Sequence, residues 1–173
     1  MAAAFSFRFE PALVALGANL GDRAATLEAA VSELAREVGP ILARSPWIET
    51  EAVRLPDDPL PQPPYLNGVV LVDCPLSPRE LLARLLLIER RLGRDRSRET
   101  RRWQPRILDL DLLALGERVG EEPGLVLPHP RLHERLFVLE PLVAIWPDWR
   151  HPRLGKSAAE LLSRLRGQME SRR

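Results

Sequence analysis

The order of strand-like and helix-like segments restricts the fold of this sequence more than any other feature. Apolar runs typical of strands cover residues 12–17, 41–50, 65–73 and 107–115. One amphipathic segment separates the first two runs, and another separates the last two. This order is strand, helix, strand, strand, helix, strand, which is that of the ferredoxin-like split βαβ motif. The sequence therefore predicts an α+β fold with a ferredoxin-like βαββαβ core and an antiparallel sheet.

Both amphipathic segments have the ends expected of helices. Asp22 is placed to cap the first helix, and Gly39 is placed to end it. The second helix begins with a capping box formed by Ser77 and Glu80, and it is expected to end at Gly93. Its apolar stripe repeats at helical spacing, so one face should be buried against the sheet.

The size and composition of the chain indicate one domain. The chain has 173 residues, of which 45% are hydrophobic, so we expect a single domain over 1–173 with a C-terminal helix at about 157–167. With 25 basic and 24 acidic side chains, no global charge favours nucleic acid or membrane as a partner. No apolar run reaches the ~18 residues of a membrane span, and the first residues lack a leader pattern, so we expect a cytoplasmic protein.

Two aspartates inside the last predicted strand need an explanation, because aspartate is unfavourable in strands. Asp109 and Asp111 share one face of that strand, with Cα atoms about 6.8 Å apart, while the leucines between and beside them face the core. Paired carboxylates on a rigid strand are suitable ligands for Mg²⁺. The alternative is an exposed strand face with two solvated charges.

An arginine-rich segment lies directly before these aspartates. Its arginines are Arg94, Arg96, Arg98, Arg101, Arg102 and Arg106. Arginine forms bidentate contacts with phosphate, so an arginine cluster beside a carboxylate pair fits a polyphosphate bound with Mg²⁺. No P-loop or protein-kinase glycine loop is present, so side chains would have to hold the phosphates. A solvated surface is one alternative, and a single-stranded RNA-binding domain, with Trp103 stacking on a base, is another.

A further candidate lies in "PHP" at 128–130, where two prolines stiffen the backbone around His129. The same segment continues with Arg131, His133 and Arg135 and so adds positive groups. A histidine here is a plausible phosphate donor, although a single histidine is more often structural.

Taken together, four motifs closely resemble the family of 6-hydroxymethyl-7,8-dihydropterin pyrophosphokinase. They are "ALGANLGDR", "YLNGVV", "RRWQPRILDLDLL" and "PHPRLHERLFVLEPL", in this order between about residues 12 and 145. The resemblance implies that the ferredoxin-like core is elaborated into an α/β/α sandwich. It also implies transfer of the β,γ-pyrophosphate of ATP to the hydroxymethyl group of the pterin, with release of AMP, in folate biosynthesis.

The resemblance also implies a role for individual residues. Two Mg²⁺ ions would be bound by Asp109 and Asp111. The ATP-binding residues would be Glu89, Arg94, Arg96, Arg102, Trp103, Arg106, Leu112, His129 and Arg135. The pterin-binding residues would be Thr50, Val53, Tyr65, Asn67, Trp103 and Phe137. The catalytic residues would be Arg94, Arg106, Asp109 and Asp111. ATP would be the co-substrate, the partners would be these small molecules alone, with no nucleic acid and no membrane, and the protein would be a monomer.

The sequence departs from the family pattern at several positions. The usual T-x-P-x-G appears here as Thr50 to Arg54, without its proline and glycine. Gln104 replaces a usual glycine, Leu86 replaces a frequent glutamine, and the arginine-rich segment is about two residues longer. These changes affect loop contacts and leave the carboxylate pair intact.

Overall fold

The computed structural model describes residues 5–52, 62–98 and 105–171. The strands in these ranges are β1 Glu10–Ala18, β2 Ile41–Arg44, β3 Ile48–Thr50, β4 Tyr65–Cys74, β5 Asp109–Leu115, β6 Gly120–Glu122 and β7 Leu125–Leu127. The α-helices in the same ranges are α1 Arg23–Glu37, α2 Pro78–Arg91, α3 Leu136–Ile145 and α4 Ala158–Glu170. Short 3-10 helices lie at Arg96–Arg98 and Leu132–Glu134. None of the helices in the described ranges is long and apolar enough to cross a membrane.

The main sheet has the strand order β2-β4-β1-β5, and β3 also pairs with β4. Every pairing in it is antiparallel. This is the order of the ferredoxin-like core, because the strands joined by the hairpin-like connection lie side by side and the first strand is central. The α+β prediction is confirmed. A separate β6–β7 hairpin follows β5.

Helices cover the sheet on both faces, which makes the fold an α/β/α sandwich. Alternate residues of β1 show this, since Val14 and Leu16 pack on the side of α1 and α2 while Leu13 packs on the side of α3 and α4. The strands β1, β4 and β5 therefore bury both of their faces over most of their length, as expected when helices flank a sheet on two sides.

The helix ends follow the predicted capping interactions. Asp22 accepts a hydrogen bond from the amide of Ala25 at 3.0 Å. Ser77 and Glu80 form the capping box of α2, and Ser157 and Glu160 form that of α4. Each box satisfies amide groups that have no partner inside the helix, so these starts are defined locally by the sequence.

The expected strand at 41–50 is divided into two. It consists of β2 and β3, separated by Ser45, Pro46 and Trp47. Pro46 has no amide hydrogen and cannot continue the ladder with β4. The Ser45 hydroxyl instead accepts a hydrogen bond from the amide of Val69 at 3.0 Å. The break sends β3 along the far end of β4, toward Asn67.

A β-bulge in β5 lies directly beside the carboxylate pair. Val14 pairs with Leu112 and Leu13 pairs with Ala114, so Leu113 is the extra residue. The bulge allows Leu113 and Ala114 to pack consecutively into the core under α3 and α4. Asp111 is therefore the last residue of this face before the covering helices take over.

Candidate active site

Asp109 and Asp111 project together from β5 on the face that carries α3 and α4, at the end of the strand that these helices leave open. Their side chains are 25% and 37% exposed. Leu108, Leu110 and Leu112 face the opposite core and are buried, as strand alternation predicts. The two carboxylates are therefore held in a fixed orientation by a leucine-packed strand.

Asp109 is bound by two guanidinium groups. Arg94 Nη1 donates to its Oδ1, and Arg106 Nη1 donates to its Oδ2 at 2.9 Å. The Arg94 side chain is only 4% exposed, and its Nη1 also donates to the carbonyl of Leu108 at 3.3 Å. Arg94 is thus part of the interior beneath the site, whereas Arg106 lies nearer its surface.

Glu89 connects α2 to the same strand. Its Oε1 accepts hydrogen bonds from Arg94 Nη1 and from the amide of Leu110, both at 2.8 Å. Its Oε2 accepts from Arg96 Nη2 at 2.7 Å and Nε at 3.0 Å. Burial raises the pKa of Glu89, while the Leu110 amide and the two guanidinium groups act in the opposite direction. Because every partner is a donor, we assign Glu89 as a carboxylate at neutral pH.

Among the described residues, Asp111 has one guanidinium partner, Arg135, whose Nη1 donates to Oδ2 at 3.2 Å. Burial and the neighbouring charge of Asp109 raise the pKa of Asp111 above its ordinary value. Arg135 also stacks over the ring of Phe137, with 5.5 Å between the guanidinium carbon and the ring centroid. The start of α3 therefore supplies one wall of the site.

His129 faces the same carboxylates. Its Nδ1 accepts a hydrogen bond from the amide of Arg131 at 3.1 Å, so the neutral ring carries its proton on Nε2. Its own amide donates to the carbonyl of Leu113 at 2.8 Å, which ties the segment to β5. Burial lowers the pKa of His129, and the charge of Asp111 opposes that shift.

A cavity of about 800 Å³ opens beside Asp111 and His129. The β6–β7 hairpin forms one side and α2 forms the other. Its lining residues are Leu82, Leu86, Arg96, Leu110, Asp111, Leu112, Glu121, Glu122, Pro123, Gly124, Leu125, Val126, His129 and Pro130. The lining combines polar groups such as Arg96 and His129 with leucine side chains, which suits a ligand with an anionic part and a flat apolar part.

Three of the predicted pterin residues, Thr50, Tyr65 and Asn67, lie on β3 and β4, across β1 from Asp109, whereas Phe137 lies in the first turn of α3. Asn67 on β4 is 6% exposed, and its Nδ2 donates to Thr50 Oγ1 at 2.7 Å. Tyr65 pairs with Thr50 in the ladder between β3 and β4. Of the remaining predicted site residues, Val53, Arg102 and Trp103 lie outside the described residues, as do Arg54 and Gln104.

Sequence reasoning did not assign a role to Asn19, which the structure places between two long connections. Asn19 is 2% exposed; its Nδ2 donates to the carbonyl of Pro63 at 3.2 Å, and its Oδ1 accepts from the amide of Arg106 at 2.7 Å. It thereby joins the chain just before β4 to the chain just before β5. The only sequence signal was its position inside "ALGANLGDR".

The fold and this arrangement of groups define a ferredoxin-like α+β protein whose paired carboxylates and guanidinium groups form a site suited to a phosphorylated ligand. Comparison with known proteins narrows this class. The family model for 7,8-dihydro-6-hydroxymethylpterin-pyrophosphokinase matches residues 13–147, and the chain belongs to that family.

Individual relatives agree with this assignment. The chain is 43% identical over 155 residues to a 2-amino-4-hydroxy-6-hydroxymethyldihydropteridine pyrophosphokinase of Synechocystis sp., covering 89% of this chain and 75% of that protein. It is 39% identical over 151 residues to the enzyme of the same name from Pseudomonas aeruginosa, covering 87% and 88%. The chain is accordingly an enzyme of pyrophosphoryl transfer in folate biosynthesis, with ATP as co-substrate.

Solved structures are similar in fold. The wild-type Plasmodium falciparum HPPK-DHPS with pteroate superposes with a TM-score of 0.73 at 14% identity. The match covers 96% of this chain and 46% of that one, so this chain spans less than half of the bifunctional protein. At this identity the similarity concerns the fold alone.

Proposed function

We propose that Asp109 and Asp111 bind two Mg²⁺ ions that accompany ATP in this pyrophosphoryl transfer. Three guanidinium groups, those of Arg94, Arg106 and Arg135, are paired with the two carboxylates, which supports a demand for positive charge at this point. The neighbouring charge of Asp109 is, after burial, a cause of the raised pKa of Asp111, and a bound cation would relieve this repulsion. The single observation that carries the proposal is geometric: Asp109 and Asp111 project from one face of the leucine-packed strand β5.

The donor set fits Mg²⁺ shared with a substrate. In the described part of the chain, no group of three or more His, Cys, Asp or Glu could hold a metal ion. Mg²⁺ is usually held by one or two carboxylates, with phosphate oxygens and water completing its octahedron. The ions would therefore enter with the triphosphate of ATP. When bound, Mg²⁺ would draw charge from the phosphates and make a nearby hydroxyl easier to deprotonate.

The triphosphate would lie beside Asp111 and His129, and the nucleoside against the leucines of the cavity lining. His129 offers an Nε2–H donor there, and Arg96 and Arg135 offer guanidinium groups. The Nε of Arg106 is buried, and within the described residues it has no acceptor, so a phosphate oxygen could satisfy it. Leu86 and Leu112 line the cavity and supply apolar contacts for the base.

The pterin would bind on the open face next to Asp109. Asn67 has both a donor and an acceptor on one amide, which suits the hydrogen-bonding edge of a pterin ring. Tyr65 and Phe137 are aromatic side chains on neighbouring elements, and flat heterocycles bind well between such rings. Val53 and Trp103 belong to the same proposal on the strength of the family resemblance alone.

In this arrangement the protein acts by positioning and by charge. The pterin hydroxyl oxygen attacks the β-phosphorus in line, the bond from that phosphorus to the bridging α-oxygen breaks, and AMP leaves. The hydroxyl proton would pass to a carboxylate oxygen of Asp109 or Asp111, and the guanidinium groups of Arg106 and Arg135 would neutralise charge that develops on the phosphate oxygens. Arg94 keeps Asp109 oriented from below.

The proposal is tested by following nucleotide products in the presence of ATP, Mg²⁺ and 6-hydroxymethyl-7,8-dihydropterin. AMP should form only when all three are present, and chelation of Mg²⁺ should abolish it. Asp109→Asn and Asp111→Asn should each lower kcat by at least about 100-fold. Asp148→Asn, on an exposed turn, is the matched control and should leave the rate unchanged. Full activity of both site variants would refute the metal assignment.

Three broader expectations belong to the same proposal: one domain over the whole chain, a monomer, and a cytoplasmic location. Size-exclusion chromatography with light scattering tests the monomer. Single-stranded RNA binding was the alternative use of the arginine-rich segment, and membership in the pyrophosphokinase family does not favour it.

A further inference from the structure

Gly17 occupies a position where a larger residue is expected. It lies inside β1, the central strand of the core sheet, and its backbone is ordinary extended strand. Glycine in a strand interior is destabilising relative to alanine. Because the backbone conformation does not require glycine here, the reason for a glycine must lie in the groups that a side chain at position 17 would contact.

The register of the sheet puts Gly17 between the two halves of the proposed site. It pairs with Asn67 on β4 and with Asp109 on β5. Asn67 and Asp109 are therefore separated by two strand spacings, roughly 9–10 Å, with only glycine backbone between them. Side chains at paired positions point to the same face, so β1 places no side chain between the Asn67 amide and the Asp109 carboxylate, and its bare backbone forms a floor between them.

A side chain at position 17 would first meet Asn67. A Cβ built on Gly17 would lie 2.9 Å from Asn67 Oδ1 and 3.7 Å from Tyr65 Cδ1. Contact at 2.9 Å forces the amide to move, and the amide is buried and bonded to Thr50. Gly68 provides a contrast on the other face of the sheet, since a Cβ built on it would collide with the ring of Trp47. Gly68 is therefore required by packing. At Gly17, Asn67 and Tyr65 are the described residues with atoms within 4 Å of the added Cβ.

We propose that Gly17 is a specificity-determining residue for the pterin substrate. Without a side chain at position 17, the Asn67 amide keeps its hydrogen bond to Thr50. The pterin ring can then extend from that amide along β1, which places its hydroxymethyl group at Asp109. This inference rests on the proposed function. A pterin carries its hydrogen-bonding edge at one end and the hydroxymethyl group at the other, which matches the direction of the floor.

The test compares binding of the two substrates by Gly17→Ala. The Kd of the pterin, measured with a non-hydrolysable ATP analogue present, should rise at least about 10-fold, while the Kd of the analogue alone changes by less than about 2-fold. Gly68→Ala is the matched control: it should lower the urea midpoint of unfolding through Trp47 and leave the pterin Kd within about 2-fold of wild type.

A second variant identifies the route of the effect and covers the case in which Gly17→Ala does not fold. In an Asn67→Ala background the clashing oxygen is gone, so adding Gly17→Ala should weaken pterin binding by no more than about 2-fold further. An unchanged pterin Kd in Gly17→Ala, or an equal loss for both substrates, would overturn the inference. Failure of the proposed function is a different result, because wild-type protein would then form no AMP at all.

Discussion

Replacing Arg94 by methionine is expected to lower the free energy of unfolding by about 3–5 kcal/mol, the usual effect of removing one partner of a buried ion pair. Arg94 and Glu89 are 4% and 1% exposed, so neither charge is solvated by water. Methionine fills much of the volume but donates no hydrogen bond. Glu89 would retain the Leu110 amide and the half-exposed Arg96, and an exposed partner compensates a buried charge only weakly.

The size of this effect is large for a protein of this length. Domains of 150–250 residues lose about 2–4 °C of Tm per kcal/mol, so the expected decrease is roughly 6–20 °C. Urea unfolding followed by circular dichroism, without nucleotide or Mg²⁺, measures the free energy directly, and equal m-values would confirm that both proteins unfold to similar extents. Arg90→Met, on the exposed side of α2, is the matched control and should stay within about 0.5 kcal/mol of wild type.

The double variant Glu89→Met/Arg94→Met separates charge burial from packing. If the loss in Arg94→Met comes from the unpaired Glu89 carboxylate, removing both charges should recover a substantial part of the stability. A loss below about 1 kcal/mol in Arg94→Met would refute the reasoning, since it would mean that Arg96 and the Leu110 amide suffice for Glu89.

Three further predictions concern parts of the fold away from this ion pair. Burial lowers the pKa of His151, so the unfolded chain binds a proton more readily than the folded one. The free energy of unfolding should therefore decrease as the pH falls below about 6.5, as urea titrations at each pH will show. The decrease should be smaller in His151→Asn, which keeps an acceptor for the amide of Leu154. Asn19→Ala leaves the Arg106 amide and the Pro63 carbonyl without their partner and should cost about 1–3 kcal/mol, with faster hydrogen exchange at the Arg106 amide; unchanged exchange there would contradict the proposed link. Ser157→Ala removes the capping box of α4 and should cost about 1 kcal/mol by thermal unfolding, whereas Ser157→Asp should retain most of that stability.

Much of the fold could be predicted because the signals that specify it are local. Strand alternation placed Leu108, Leu110 and Leu112 in one core and both aspartates on the opposite face. Capping residues located the starts of α1, α2 and α4 within the chain. The order of these elements then left few antiparallel arrangements, and the observed sheet is one of them.

What the sequence did not predict depends on partners that are distant along the chain. Alternation assigns Asp109 to a face, but it does not reveal that Arg94 bonds it from below or that Glu89 holds Arg94. Pro46 was visible in the sequence, yet the division of the strand around it depends on the Ser45 hydroxyl meeting Val69. The register that places Gly17 between Asn67 and Asp109 is likewise a property of the assembled sheet.

The three arginines that bind the carboxylates differ in a way that follows from their burial. Arg94 is 4% exposed and shared with Glu89, whereas Arg106 and Arg135 are 24% and 21% exposed and each binds a single carboxylate among the described residues. On the proposed function, a cation arriving at the carboxylates with ATP displaces guanidinium groups that can then pair with the incoming phosphates, so no charge is left unpaired. Only Arg106 and Arg135 can make this exchange, because moving Arg94 would leave the buried Glu89 carboxylate with the exposed Arg96 as its one described cationic partner. Arg106→Lys and Arg135→Lys should therefore raise the KM for ATP while leaving the free energy of unfolding nearly unchanged. Arg94→Lys should instead lower the free energy of unfolding and change the KM for ATP less.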